Sequence, residues 1–227
     1  MAIVEIQGLT KEYKQGQIVV QALRGVELTI EKGEFTALMG PSGSGKTTLL
    51  NLIGGLDEPT AGHILIDGQD LATMGAAGRS RMRLNHLGFV FQAYNLIPVL
   101  SAYENAEFVL LLQGMSEDER RRRVTEVLKE VGLDGLHNRR PQELSGGQQQ
   151  RVAVARAIAG APALVLADEP TANLDSKTGN ELIATMRRLN QERQVTFVFA
   201  THDPKVMEQA TRVVRLVDGQ IAEDQRK

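Results

Sequence analysis

Phe35-Thr36-Ala37-Leu38-Met39 runs directly into Gly40-Pro41-Ser42-Gly43-Ser44-Gly45-Lys46-Thr47-Thr48, and the chain continues through Leu49-Leu50-Asn51-Leu52-Ile53 to Gly54-Gly55. The five residues before the loop form an apolar run of strand length. Those after it have helical composition up to a double-glycine stop. Between them, the absence of Cβ atoms lets the backbone approach a ligand closely. The spacing G-x-x-x-x-G-K-[ST] turns successive N–H groups toward phosphates, sends Lys46 to the β and γ oxygens and offers the Thr47 hydroxyl to Mg²⁺. The N-terminus of the following helix adds its partial positive charge to the same anion site. Strand, glycine loop and helix together predict a P-loop, and with it an α/β nucleotide-binding core.

Bulk properties narrow the setting. The 227 residues are 42% hydrophobic and 24% charged, ordinary values for a folded globular chain. A formal net charge of −2 provides no global basic field for nucleic acid or anionic lipid. With no Cys there are no disulfides or thiolate metal sites, which fits a reducing compartment. Met1-Ala2-Ile3-Val4-Glu5-Ile6 alternates like a strand rather than a signal peptide, and the best apolar run, Phe108 to Leu112, is far short of a membrane span. Any role at a membrane is therefore expected to come through a partner.

Candidate strands at Ile3 to Leu9, Ala22 to Ile30 and Glu34 to Met39 make the first third β-rich, and His63 to Ile66 runs into an Asp67-Gly68 turn. From Ser101 to about Gly160 the pattern is helical. Ser116-Glu117-Asp118-Glu119 predicts a capping box, and the Arg120 to Arg123 run that follows reads as a solvated helix face. After Pro162 buried strands return at Ala163 to Ala167 and Val195 to Ala200, separated by a helix from Lys177 to Asn190. Such alternation predicts a parallel sheet with right-handed crossovers. The expected division is a nucleotide-binding α/β core with a β subdomain over 1–92 and 161–227, interrupted by a helical subdomain over 93–160.

Chemistry is expected where these strands end, since ligands of open parallel sheets bind at the carboxyl edge. Leu164-Val165-Leu166 leads to Asp168-Glu169. Asp168 suits the Mg²⁺ shell, which leaves Glu169 to accept a proton from the water attacking the γ-phosphate. His202, just past Val195 to Ala200, is placed to reach the γ-phosphate and orient the water or Glu169. His63, His86 and His137 fall at turn-like or polar positions and are expected at the surface. Gln92, after the apolar run Leu87 to Phe91, could ligate Mg²⁺ through its amide oxygen. Tyr13 reads equally as an adenine platform or as a half-buried surface tyrosine. Ser145-Gly146-Gly147-Gln148 is a capping box opening a helix, and two glycines in its first turn each cost ~1 kcal/mol against Ala. Bare N–H groups there suit a phosphate, whose owner the residues alone leave open.

In order, the P-loop, Gln92, Leu144 to Gln148, Asp168-Glu169, Ala172-Asn173-Leu174-Asp175 and His202 resemble the ATP-binding cassette (ABC) ATPases over essentially the whole chain. The resemblance implies a P-loop NTPase with a RecA-like parallel sheet, an N-terminal antiparallel β subdomain and an inserted helical subdomain. It implies ATP and Mg²⁺ as cofactors. Tyr13 becomes the adenine-stacking aromatic, Gln92 the Q-loop, Leu144 to Gln148 the signature, Ala172 to Asp175 the D-loop, with Asp175 kept, and His202 the switch histidine. It also implies a homodimer on ATP binding, because the signature of one subunit covers the nucleotide held by the other. The D-loop departs from the commoner Ser-Ala-Leu-Asp at Ala172 and Asn173, with only a minor effect expected.

Met39 to Lys46, Asn95 to Ser101 and Gln148-Gln149-Gln150-Arg151 resemble the LolD/MacB branch, whose members drive lipoprotein release and macrolide-type export. The chain ends at Lys227, so the resemblance implies a separate transmembrane permease, with this subunit peripheral on the cytoplasmic face of the inner membrane. The permease is expected in a groove lined by Tyr94, Leu96, Ile97, Val99, Leu100, Tyr103 and Phe108. An importer ATPase would carry the same ATPase parts. A non-transport ABC protein acting on DNA or ribosomes would bring a long coiled-coil insertion, a second cassette or a basic stripe, none of which is present, so no nucleic-acid partner is expected.

Overall fold

The computed structural model describes residues 1–227, the side chain of Gln15 excepted. In chain order the elements are β1 (Ala2–Gln15), β2 (Ile18–Glu31), β3 (Phe35–Met39), α1 (Lys46–Ile53), β4 (Ala61–Ile66), β5 (Gln69–Asp70), α2 (Ala76–His86) and β6 (Leu87–Val90). There follow α3 (Ala102–Leu112), α4 (Glu117–Glu130), α5 (Gly146–Ala159), β7 (Leu164–Asp168), α6 (Ser176–Arg193), β8 (Thr196–Ala200), α7 (Pro204–Gln209), β9 (Arg212–Val217) and β10 (Gln220–Arg226).

Two sheets result. The antiparallel one has the order β2-β1-β4-β5, and the other runs β10-β9-β3-β8-β7-β6, parallel except for the edge strand β10. β3, β7 and β8 are buried on both faces, as continuous apolar runs in a covered parallel sheet should be. Alternate residues of these strands enter different cores. Val165, Ala167, Phe197 and Phe199 pack with α3 to α6, whereas Leu164, Leu166, Val198 and Ala200 pack with α1 and the antiparallel sheet. In β2, Leu23, Val26, Leu28 and Ile30 face inward and their neighbours face out.

Several expectations are revised. β1 runs past the expected end at Leu9 to Gln15 and pairs with β2 back to Ile18, so Tyr13 lies on a strand opposite Val20. Ser116 precedes α4 as foreseen but caps no backbone group, because its hydroxyl donates to the Glu119 carboxylate at 2.7 Å. His86 and His137 are half-buried rather than surface residues, and the His137 Nε2 is shielded from solvent, whereas His63 is exposed. In the arginine run, Arg120 is held by Glu107 at 2.8 Å and Arg121 by Glu117 at 2.9 Å, in keeping with a helix face.

Candidate nucleotide site

β8 lies between β3 and β7, and β6 lies beyond β7. The carboxyl ends of these four strands carry Gly40, His202, Asp168-Glu169 and Gln92, so the sheet order alone gathers residues from four distant parts of the chain at one edge. Gly40 has φ 155°, and a Cβ there would lie 2.2 Å from the Leu216 carbonyl oxygen. No other residue fits between the loop and β9. Lys46 is buried, and its Nζ donates to the Gly40 and Pro41 carbonyls at 2.8 and 3.0 Å, arching back over the loop. The first turn of α1 has no side-chain cap, which leaves its N–H groups available to an anion. The loop forms one wall of a cavity of about 700 Å³ lined by Gly40, Pro41, Ser42, Gly43, Ser44 and Gly45 together with Lys46, Thr47 and Thr48. Tyr13, Gln92, Glu169 and His202 also line it, with Val20, Gln21, Ala22 and Ala172 completing the walls.

The Thr47 hydroxyl donates to Asp168 Oδ1 at 3.2 Å, bringing two hard oxygen ligands together beside the loop. No group of three His, Cys, Asp or Glu side chains suited to a metal occurs among the described residues. This pair therefore fits a cation that completes its shell with water and phosphate oxygens, which is the habit of Mg²⁺. Burial pushes the Asp168 carboxyl up from its ordinary range; the Thr47 hydrogen bond opposes this, Glu169 adds to it and Lys46 opposes it.

Glu169 leaves β7 with φ +44°, a left-handed conformation that costs a non-glycine residue of order 1 kcal/mol. Its N–H is tied to the Ala200 carbonyl at 2.9 Å. The Glu169 carboxylate accepts from the Thr201 hydroxyl at 3.0 Å and meets His202 Nδ1 at 2.7 Å. With the carboxylate ionised, Nδ1 is the donor and Nε2 is the ring nitrogen turned away from it. His202 is 75% exposed at its side chain while Glu169 is 18% exposed, so the acid is sheltered and the imidazole stands at the rim. Sequence reasoning missed the support beneath this pair: Thr171 donates to Asp203 at 2.7 Å, and the Asp203 N–H donates to Thr201 Oγ1 at 3.0 Å. The polar run Thr201-His202-Asp203 after a wholly buried strand was the available signal.

Tyr13 also has unforeseen support. Its hydroxyl donates to Asp57 at 2.7 Å, Lys11 donates to the same carboxylate at 2.7 Å, and the Lys11 ammonium stands 4.7 Å from the ring centroid. Burial raises the Asp57 pKa, but the hydrogen bonds from Lys11, Tyr13 and the Glu58 N–H outweigh it and leave the group lowered.

The capping box at Ser145 forms, with the Ser145 hydroxyl accepting from the Gln148 N–H and the Gln148 side chain accepting from the Ser145 N–H. Ser145, Gly146, Gly147 and Gln148 nevertheless line no part of the P-loop cavity, and neither does Asp175, which caps α6 through bonds to the N–H groups of Lys177 and Thr178. Gly147 is bare for a packing reason within the chain: a Cβ would lie 2.3 Å from Thr178 Cγ2.

An apolar groove occurs near this segment, but its walls are not the expected ones. A cavity of about 380 Å³ is lined by Leu56, Phe89, Phe91, Phe108, Leu112 and Arg156 among others, and of the predicted residues only Phe108 belongs to it. Fully buried Asn105 explains the difference, because it bonds Ile97 N and O, Leu100 O and Ser101 O and binds that loop to α3. Leu96 and Tyr103 pack on the helical core, Tyr94 lies against Gly146, and Val99 is 69% exposed.

The sequence profile of the family described as ABC transporter matches residues 23–172. The chain belongs to the ABC transporter family. This cassette is 47% identical to the lipoprotein-releasing system ATP-binding protein LolD of Anaeromyxobacter dehalogenans over 97% of the chain and 93% of that protein. It is also 47% identical to the macrolide export ATP-binding/permease protein MacB of Syntrophobacter fumaroxidans, over 97% of the chain but 31% of that longer protein. A dimeric ATP-binding cassette of Methanocaldococcus jannaschii, solved in a post-hydrolysis state with ADP and Pi, superimposes with a TM-score of 0.91 at 44% identity over 98% of both chains. The cassette is thus an ATPase of the P-loop NTPase fold, and among the described residues no helix is long and apolar enough to cross a membrane.

Proposed function

We propose that this cassette is the ATP-hydrolysing subunit of an export or lipoprotein-release transporter of the LolD/MacB type, acting at the cytoplasmic face of the inner membrane. The observation that carries the chemistry is the pairing of two sets at one sheet edge: Thr47 with Asp168 for the cation, and Glu169 with His202 for the water. Backbone N–H groups of Gly40 to Thr48 and the Lys46 ammonium hold the triphosphate, and Tyr13 stacks on the adenine. Thr47, Asp168 and Gln92 hold Mg²⁺, which when bound neutralises charge on the β and γ phosphates. Glu169 takes the proton from the attacking water, and His202 holds Glu169 in place while its Nε2 faces the phosphate side.

Ser145 to Gln148 and Asp175 act on the nucleotide of a second copy. Their exclusion from the chain's own cavity supports this reading, as does the dimeric state of the archaeal relative. The groove bordered by Phe89, Phe91, Phe108 and Leu112 receives a helix of the permease, its apolar walls and Arg156 matching an amphipathic partner. Co-expression with the permease tests the assignment. Parental cassette should copurify with a membrane protein that stimulates its Mg-dependent phosphate release. Phe108→Asp should lose the membrane protein while keeping basal hydrolysis. Retained copurification by that variant would rule out the groove.

A further inference from the structure

Beyond β6 the chain hooks through Phe91 to Asn95, and every carbonyl of the hook has a donor. Gln150 Nε2 reaches Phe91 O at 3.4 Å, and the Tyr94 N–H also donates there at 3.2 Å. Asn173 Nδ2 donates to Gln92 O at 2.9 Å, and the Asn95 N–H donates to Ala93 O at 2.6 Å. Arg156 takes the last two, Tyr94 O at 2.9 Å and Asn95 O at 2.5 Å. Tyr94 and Asn95 are both left-handed, with φ of 58° and 50°. Two consecutive non-glycine residues persist in that conformation only where the surroundings hold them. Gln150 makes the same point from below. It is fully buried with its Oε1 unpartnered among the described residues, an amide kept at a desolvation cost for the one bond it donates.

The hook has two working faces. Gln92 lines the nucleotide cavity, while Phe91, Asn95 and Arg156 line the apolar groove. Of its side-chain donors, Gln150 and Arg156 both belong to α5, and Asn173 alone comes from the segment that leads to Asp175. We propose that Asn173 is a positioning residue for Gln92, fixing that residue's backbone so that its amide oxygen faces the cation held by Thr47 and Asp168. Asn173 thereby ties the Gln92 of one protomer to the segment that, in the dimer, meets the second copy. The inference rests on the reading of Gln92 as a Mg²⁺ ligand. The departure at position 173, for which the family resemblance implied little effect, supplies a donor that the Ala of the commoner pattern lacks.

Mg²⁺ titrations of ATP binding test this in the full chain carrying Glu169→Gln, so that turnover does not intervene. The variants added are Asn173→Ala, Asn173→Leu (close in shape and without a donor), Gln92→Ala, and Gln92→Ala with Asn173→Ala. Both Asn173 variants should raise the half-saturating Mg²⁺ concentration by up to about fivefold, the worth of one net hydrogen bond, and leave Mg-free ATP binding unchanged. Gln92→Ala should raise it at least as far, and the double variant no further than Gln92→Ala alone. Multiplying effects, or an unchanged Mg²⁺ requirement in the Asn173 variants, would overturn the proposal while sparing the role of Gln92. A Gln92→Ala protein with parental Mg²⁺ dependence would overturn that role and the proposal with it.

Discussion

Replacing Glu169 by Gln removes one charge and almost nothing else. Thr201 donates to the carboxylate at 3.0 Å and His202 meets it at 2.7 Å. The amide oxygen can still accept from Thr201, and the amide NH₂ can donate to His202 Nδ1 once the imidazole carries its proton on Nε2. The fold should therefore keep its stability to within about 0.5 kcal/mol. Only the capacity to accept a proton is lost, and the loss of a general base slows turnover by about 10²–10⁴-fold. That corresponds to an activation barrier higher by about 3–5 kcal/mol. ATP binding should be retained or tightened, because a negative group next to Asp168 no longer faces the triphosphate. The assay is phosphate release paired with gel filtration in ATP and Mg²⁺: the variant should elute as a stable dimer and release phosphate at background. Hydrolysis within threefold of the parent would refute the assignment of Glu169 as base. Loss of ATP binding would refute the claim that its two hydrogen bonds survive the exchange.

Asp168→Asn should raise the thermal midpoint of nucleotide-free protein at pH 7. The folded-state pKa of Asp168 lies above the unfolded value, so the native state binds more protons between the two; stability falls as pH rises through that window, and the deficit persists at neutral pH. The same variant should lose Mg-dependent hydrolysis, and a lowered midpoint would contradict the burial argument. Mixing Lys46→Ala with Ser145→Asp tests the shared site, since Asp preserves the helix cap while opposing a phosphate. Each alone should be inactive, and equal mixing of a two-fold dimer should recover about a quarter of the parental rate through heterodimers with one complete site. Heterodimers that form without any recovered activity would exclude a shared site.

Local signals were the legible ones. The P-loop, the strand-end acids and the Ser145 capping box each need only residues adjacent in sequence, and each forms as read. What escaped depended on partners far away in the chain. Tyr13 is defined by Asp57, Glu169 by Thr201, and the loop at Ile97 to Ser101 by one buried amide on α3. Asn105 ties down the backbone of that loop, which leaves Leu96 against the helical core and Val99 exposed instead of gathering them in one docking wall. α2 and β10 escaped for another reason: α2 buries only Met82, and β10 has only Ile221 half-covered, so neither carries a hydrophobic period strong enough to read.

The order β9-β3-β8 has a consequence for how the protein is made. β1 and β2 close on each other through a local hairpin, but both partners of β3 lie beyond residue 195. At ribosomal speeds of about 5–20 residues per second, β3 waits roughly 8–30 s after emerging before either partner exists. Throughout that interval the phosphate loop hangs from an apolar strand with both edges open, the kind of surface that aggregates and that chaperones shield. The strand that anchors the nucleotide is thus among the first synthesised and the last to be paired, and nascent chains released before β8 would expose it unprotected.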